Sequence, residues 1–205
     1  MKIDELTPFK GRTFGIEELE NYFKEPVTTI RIQLSRLCKS KKLIRLKQNR
    51  YTFPDSHPNV YVIAQEMVSP SYHSMESVLS LYGIIPEGTV AYTLITSKKT
   101  QKYSNEFGTF SYRHLPPSLF FGVGKREDGA FMATPEKALL DYLYLNSAKF
   151  KPNFALWQAE RLDELPTLDF KIMKKWAKKY GMKKLMTLVT SIEEYSNSKM
   201  YQAHR

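Results

Sequence analysis

Eight Lys and Arg side chains stand between Pro26 and Pro54 with no Asp or Glu among them: Arg31, Arg36, Lys39, Lys41, Lys42, Arg45, Lys47 and Arg50. The chemistry open to such a run is the neutralisation of a polyanion, because each phosphate paired with a cation releases a condensed counterion. Polar side chains between the bases add sequence reading. A guanidinium such as Arg36 can donate two hydrogen bonds to a guanine edge, and an amide such as Gln33 can pair with adenine. Thr28 and Thr29 can contact phosphate or base edges, and Arg31 can reach a phosphate. Ile32 is the apolar member of the set, suited to a thymine methyl or to a second copy of the chain.

Residues for covalent or metal chemistry are sparse. Cys38 is the single cysteine, on a face expected to be buried, so packing is its expected role. His57, His73, His114 and His204 are scattered, without metal-ligand spacing. Gly122-Val123-Gly124-Lys125 lacks the spacing of a phosphate-binding loop and reads as a strand end. Glu136, Lys137 and Asp141 invite a nuclease reading. Lys137 and Asp141, however, have the i, i+4 spacing of a helix salt bridge, and Glu136 lies well round the helix from Asp141. No catalytic residue, metal site or cofactor is expected, and the chain reads as a non-enzyme.

The basic run needs elements to hold it. Residues 14–24 carry Ile16, Leu19, Tyr22 and Phe23 at helical spacing, with Glu17, Glu18 and Glu20 towards the N-terminal end, where the helix dipole favours acids. Pro26 can open a second helix. In it Val27, Ile30, Leu34, Leu37 and Cys38 share one face, while Thr28, Thr29, Ile32, Arg36 and Lys39 face outward with Gln33 and Ser35 on the flanks. Ile44 and Leu46 then alternate with Arg45 and Lys47, Gln48 and Asn49 make a turn, and Tyr51 to Phe53 return. Arg45, Lys47 and Arg50 would lie along or at the tip of this hairpin, against a sugar-phosphate backbone. Helix, helix and hairpin in this order predict a winged helix-turn-helix over residues 1–56 that binds duplex DNA through Thr28, Thr29, Arg31, Ile32, Gln33, Arg36, Lys39, Arg45, Lys47, Gln48, Asn49 and Arg50. A merely solvated basic face is the competing reading.

The whole chain of 205 residues, with 42% hydrophobic residues and a net charge of +10, has material for two small domains and favours an anionic partner. One cysteine fits a reducing cytoplasm, and the first residues have neither the apolar core of a signal peptide nor, anywhere after them, a run long enough for a membrane span. A turn-rich break at 54–59 precedes a short helix over 60–68, and the boundary is placed there. Residues 57–205 are then expected as a mixed α+β domain ending in helices, so the fold class is α+β. Its elements are a helix over 75–82 with Ser74 as N-cap, strands over 89–95 and 108–114, and a hairpin of 119–123 with 130–133 across Asp128-Gly129. Helices capped by Thr134, Asn153 and Asp169 follow, the second running past Leu162 to Pro166, and a last one carries Leu185, Leu188, Val189 and Ile192. Residues after Tyr195 read as a frayed tail. Lys171, Lys174, Lys175, Lys178 and Lys179 recur at i, i+3, i+4, i+7 and i+8, a second basic face with no acid spaced to relieve it. It suits nucleic acid or an acidic protein, or is solvated.

Two segments carry a family likeness. Tyr72-His73-Ser74-Met75-Glu76-Ser77-Val78-Leu79-Ser80-Leu81-Tyr82-Gly83-Ile84-Ile85-Pro86 and Ala133-Thr134-Pro135-Glu136-Lys137-Ala138-Leu139-Leu140-Asp141 resemble segments of the abortive-infection AbiE antitoxins, a type IV antitoxin and transcriptional-regulator family. Val78 stands where Ala is usual and Tyr82 where His is common. The likeness covers roughly residues 10–146. It implies a winged-helix antitoxin that represses its own operon from double-stranded operator DNA. It further implies a nucleotidyltransferase-like toxin as functional partner, neutralised without a stable complex. A stand-alone regulator with a ligand- or protein-sensing domain, an RNA-binding factor and a nucleic-acid enzyme are the alternatives. A homodimer formed on DNA is compatible with all of the DNA-binding readings.

Overall fold

Apolar positions at the start of the chain close on one another before the chain reaches residue 54. The computed structural model describes residues 2–54, 59–86 and 91–203. A 3-10 helix over Ile3–Phe9 leads into strand β1 (Phe14–Gly15), helix α1 (Ile16–Phe23), helix α2 (Val27–Lys39) and the hairpin of β2 (Ile44–Lys47) and β3 (Arg50–Thr52). β3 pairs antiparallel with both β1 and β2, giving a three-stranded sheet in the order β1-β3-β2. Leu6, Phe9, Phe14, Leu19, Ile30, Leu34 and Phe53 form its core. Residues 14 and 15 are thus strand rather than the start of a helix, and Tyr22 is exposed, edge-on to Phe9 and Phe23, rather than in the core. Leu6 and Phe9 enter from the 3-10 helix, whose Pro8 interrupts any simple period.

Beyond the expected break, of which residues 55–58 lie outside the described residues, come α3 (Val60–Met67), β4 (Ser71–His73), α4 (Glu76–Leu81), β5 (Ala91–Thr96), β6 (Gln101–Asn105) and β7 (Gly108–His114). β8 (Val123–Lys125), β9 (Phe131–Ala133), α5 (Pro135–Leu145), α6 (Phe154–Ala159), α7 (Phe170–Ala177) and α8 (Lys183–Ala203) complete the chain. The strands form one six-stranded mixed sheet in the order β6-β7-β5-β4-β9-β8, parallel at β5/β7 and β4/β9 and antiparallel elsewhere. The architecture is mixed α and β with helices at its C-terminal end.

Alternation along the strands gives each face of the sheet its own cover. Leu94 of β5, with Phe110 and Tyr112 of β7, packs against Ile63, Ala64 and Met67 of α3 and against Ile44 and Leu46 of β2. Ile95, one residue on, joins Tyr72 and Met132 against α4, α5, α7 and α8. The hairpin of the first segment therefore contributes to the core of the second. Asn105 Nδ2 donates to the Leu46 carbonyl at 3.0 Å, tying β2 to the β6 edge.

Several local expectations change. Ser74 does not cap α4; Met75 holds that position, and the Ser77 N–H is met by Thr93 Oγ1 at 3.0 Å from the neighbouring strand. The hairpin across Asp128-Gly129 forms, but its first strand is Val123–Lys125, with Leu119 in a preceding 3-10 turn. Of the strand expected at 89–95, residues 89 and 90 lie outside the described residues. α6 ends at Ala159, so Leu162 is buried from a loop instead of a helix. α8 continues to Ala203 and buries Ser196, so the chain after Tyr195 is helical rather than frayed. Thr134, Asn153 and Asp169 cap α5, α6 and α7 as expected, accepting from Lys137, Ala155 and Ile172 N–H groups.

Candidate nucleic-acid interface

Helix α2 and the hairpin enclose a groove on the first unit. Pro26 and the buried Ile30 and Leu34 fix which side of α2 faces the core. Asn49, at φ 60°, closes the two-residue turn Gln48-Asn49 between Lys47 and Arg50. The resulting groove, about 410 Å3, is lined by Arg31, Ser35, Cys38, Lys39, Arg45, Gln48, Asn49 and Tyr51. Its lining carries three cations and no carboxylate. Burial pushes the Tyr51 phenol above its ordinary pKa, while the charges of Arg45 and then Arg31 pull it down, so both guanidinium groups act on the same floor. Burial likewise raises the Cys38 thiol, against the pull of Arg45 and with the push of Glu106 from the β6–β7 turn. A thiol held protonated on the wall of a groove is a packing group, as its place on α2 predicts.

The expected DNA-binding residues divide into three groups. Arg31, Lys39, Arg45, Gln48 and Asn49 come together at the groove. Thr28, Thr29, Ile32 and Arg36 are exposed on α2 outside it. Arg36 stands about 140° round the helix from Arg31, so it does not share the hairpin-facing wall. Ile32 is 55% exposed, as its position on the outward face predicts. The third group is engaged elsewhere. Gln33 is half-buried and donates to Glu25 at 3.2 Å, which removes it from the outward face. Arg50 reaches Glu18 at 3.4 Å, and Glu18 also holds Arg12 at 2.6 Å. Lys47 is half-buried with its ammonium over the Tyr103 ring, 5.4 Å from the centroid. Burial, then Arg50 and Lys98, lower its pKa.

The run that is acid-free in sequence is therefore not acid-free in space. On the other side of the hairpin turn a concavity of about 440 Å3 brings Glu17, Glu18 and Glu20 of α1 beside Arg31, Lys47 and Arg50. The acids that favour the α1 N-terminus fold back on the hairpin tip. That pairing is long-range, and only the i, i+3 and i, i+4 partners within a helix are legible from spacing.

The second basic face is also partly neutralised. Lys174 pairs with Glu193 of α8, and Lys179 lies over the Phe121 ring at 4.5 Å. Lys171, Lys175 and Lys178 remain exposed. Ile172, expected on the apolar side, is exposed, and α7 gives way to a 3-10 turn at Lys178–Tyr180, which ends the strict helical spacing.

Glu136, Lys137 and Asp141 form no reaction centre open to substrate. Lys137 and Asp141 are both 0% exposed and bonded to each other. Asp141 accepts from Tyr72 Oη at 3.0 Å, Ser74 Oγ at 2.7 Å and Tyr180 Oη at 2.7 Å. Lys137 donates to Tyr180 Oη at 2.7 Å and is ringed by Tyr72, Phe121 and Tyr180. Glu136 instead accepts from the Asp169 N–H at 3.2 Å. The two segments that carry the family likeness thus meet at one buried carboxylate. Among the described residues no group of three or more His, Cys, Asp or Glu could hold a metal ion, and no helix is long and apolar enough to cross a membrane. His57 and His204 lie outside the described residues. Neither the family models nor the curated proteins compared with this chain gave a match.

Proposed function

We propose that this protein is a DNA-binding regulator whose first unit acts as a winged helix. In this reading α2 enters the major groove and the β2–β3 hairpin serves as the wing. The observation that carries it is the groove in which Arg31, Lys39 and Arg45 converge without a lining carboxylate. Three cations held by rigid elements on one concave wall suit a phosphate backbone, and exposed Thr28, Ile32 and Arg36 on the outward arc suit base edges. Gln33, tied to Glu25, has no part in base reading here. Repression is steric, by occupation of operator DNA.

Antitoxin activity against a nucleotidyltransferase-like toxin is a further part of the proposal and rests on the resemblance of residues 72–86 and 133–141. The meeting of those two segments at Asp141 supports reading them as one structural signature. A gel-shift assay with the DNA upstream of the protein's own reading frame tests the first part. Retention against excess scrambled duplex and structured RNA is the expected result; release by RNA alone would favour an RNA-binding factor. Co-expression with the adjacent gene tests the second part, with rescue of growth expected. A regulator without antitoxin activity would bind the promoter and give no rescue.

A further inference from the structure

The hairpin does not project into solvent alone. It is held on the six-stranded sheet by buried Ile44 and Leu46, by Asn105 on the Leu46 carbonyl, and by Lys47 resting on Tyr103. The bend between β5 and β6 at residues 97–100 stands beside this junction, with Lys98 close enough for its charge to act on Lys47. That bend is braced. The Lys98 N–H donates to Thr96 Oγ1 at 3.2 Å, the Lys98 carbonyl meets the His114 ring at 3.1 Å, and the His114 N–H donates to Thr100 Oγ1 at 3.2 Å. Thr96 in turn donates to the Pro70 carbonyl at 2.7 Å. Lys98 and Lys99 are exposed, and among the described residues neither makes an ion pair.

We infer that the β5–β6 bend is a second backbone-contacting element for the same duplex, with Lys98 and Lys99 taking phosphates beyond those reached by the hairpin. The inference rests on the reading of α2 and the hairpin as a DNA interface. Two consequences follow from the packing. The bend and the hairpin move as one, because β2 and β6 share a core, so the second contact adds little ordering cost. The contact is also blind to sequence, since two lysines on a phosphate ribbon position the protein without reading bases.

The test uses the full chain and a fluorescein-labelled, mixed-sequence DNA duplex of about 30 base pairs, with affinity followed against salt. K98Q/K99Q should keep its melting temperature and bind with a log–log salt slope shallower by about two units, close to the value expected for two lost phosphates. K151Q/K183Q removes the same charge from the helical layer and should leave the slope unchanged. R31Q/R45Q reports on the groove itself. If R31Q/R45Q weakens binding and K98Q/K99Q leaves the slope at the parent value, the bend is no contact and the inference fails while the DNA reading stands. Equal flattening by K151Q/K183Q overturns it too, because the effect then follows net charge. A parent protein that does not bind the duplex removes the DNA reading and this inference with it.

Discussion

Asp141 carries more of the second unit than its position in a helix would suggest. Its carboxylate joins Lys137 on the same helix to Tyr72 and Ser74 from β4 and to Tyr180 after α7. Substitution of Asp141 by Ala leaves a buried ammonium without a counter-charge, which costs about 3–5 kcal/mol. Urea unfolding should show this as a lower midpoint, and an unchanged midpoint would mean the network is dispensable. A second buried group makes stability depend on pH. His73 Nε2 donates to the Tyr61 carbonyl at 2.9 Å, while Nδ1 has no partner and the ring is fully buried. Burial lowers its pKa to about 4 from an ordinary 6.5, with the Tyr61 bond opposing, Arg126 adding to the fall and Asp128 opposing. The unfolded chain then binds the proton first as pH drops. Its contribution to stability is full above pH 6.5 and is lost progressively down to pH 4. About 2 kcal/mol should disappear between pH 7 and pH 5. His73→Phe should flatten that part of the profile; the same loss in parent and variant would assign it to other groups.

The elements differ in how plainly the sequence announces them. α2, the Gln48-Asn49 turn, β7, and the caps at Thr134, Asn153 and Asp169 follow from local rules, because their signals lie within a few residues of the structure they dictate. β4 and β6 do not. β4 is three residues long, and β6 reads Gln-Lys-Tyr-Ser-Asn, whose strand character comes from pairing with β7 and packing beside β2. Within the candidate interface the cations on α2 and the hairpin were legible, since spacing gives the outward face. Their partners were not: Glu18 on Arg50, Glu25 on Gln33 and Tyr103 under Lys47 come from elements whose approach is set by tertiary packing. Ser74 shows the same limit, having the right type and place for an N-cap but a better acceptor in Asp141. Gly122 illustrates close approach at the element scale. With φ +64°, it would place a Cβ 2.9 Å from the Trp176 ring and 3.1 Å from Lys137 Cβ. Gly122→Ala should therefore destabilise by more than ~1 kcal/mol, from both backbone strain and displacement of α7. A neutral melting temperature would show that α7 yields freely.

At the scale of the whole molecule, the first unit and the sheet are joined through a shared core rather than a tether. Ile44 and Leu46 leave the core of residues 6–53 and enter that of α3, β5 and β7. Leu46→Ala should cost about 2–5 kcal/mol. Because the lost side chain bridges both units, hydrogen exchange should rise in α3 and β6 as well as in the hairpin; a rise confined to the hairpin would contradict the coupling. A rigid junction of this kind presents the groove and the face of the sheet beside it to one partner at a fixed angle, which is how a molecule with a net charge of +10 can direct that charge at a duplex. The most direct measurement is the affinity of the full chain for double-stranded DNA beside that of a variant with Arg31, Lys39 and Arg45 all replaced by Gln. With ~1 kcal/mol lost per groove cation, binding should weaken about a hundredfold while the melting temperature holds. Equal affinity for parent and variant would contradict the claim that this groove is where the nucleic acid is held.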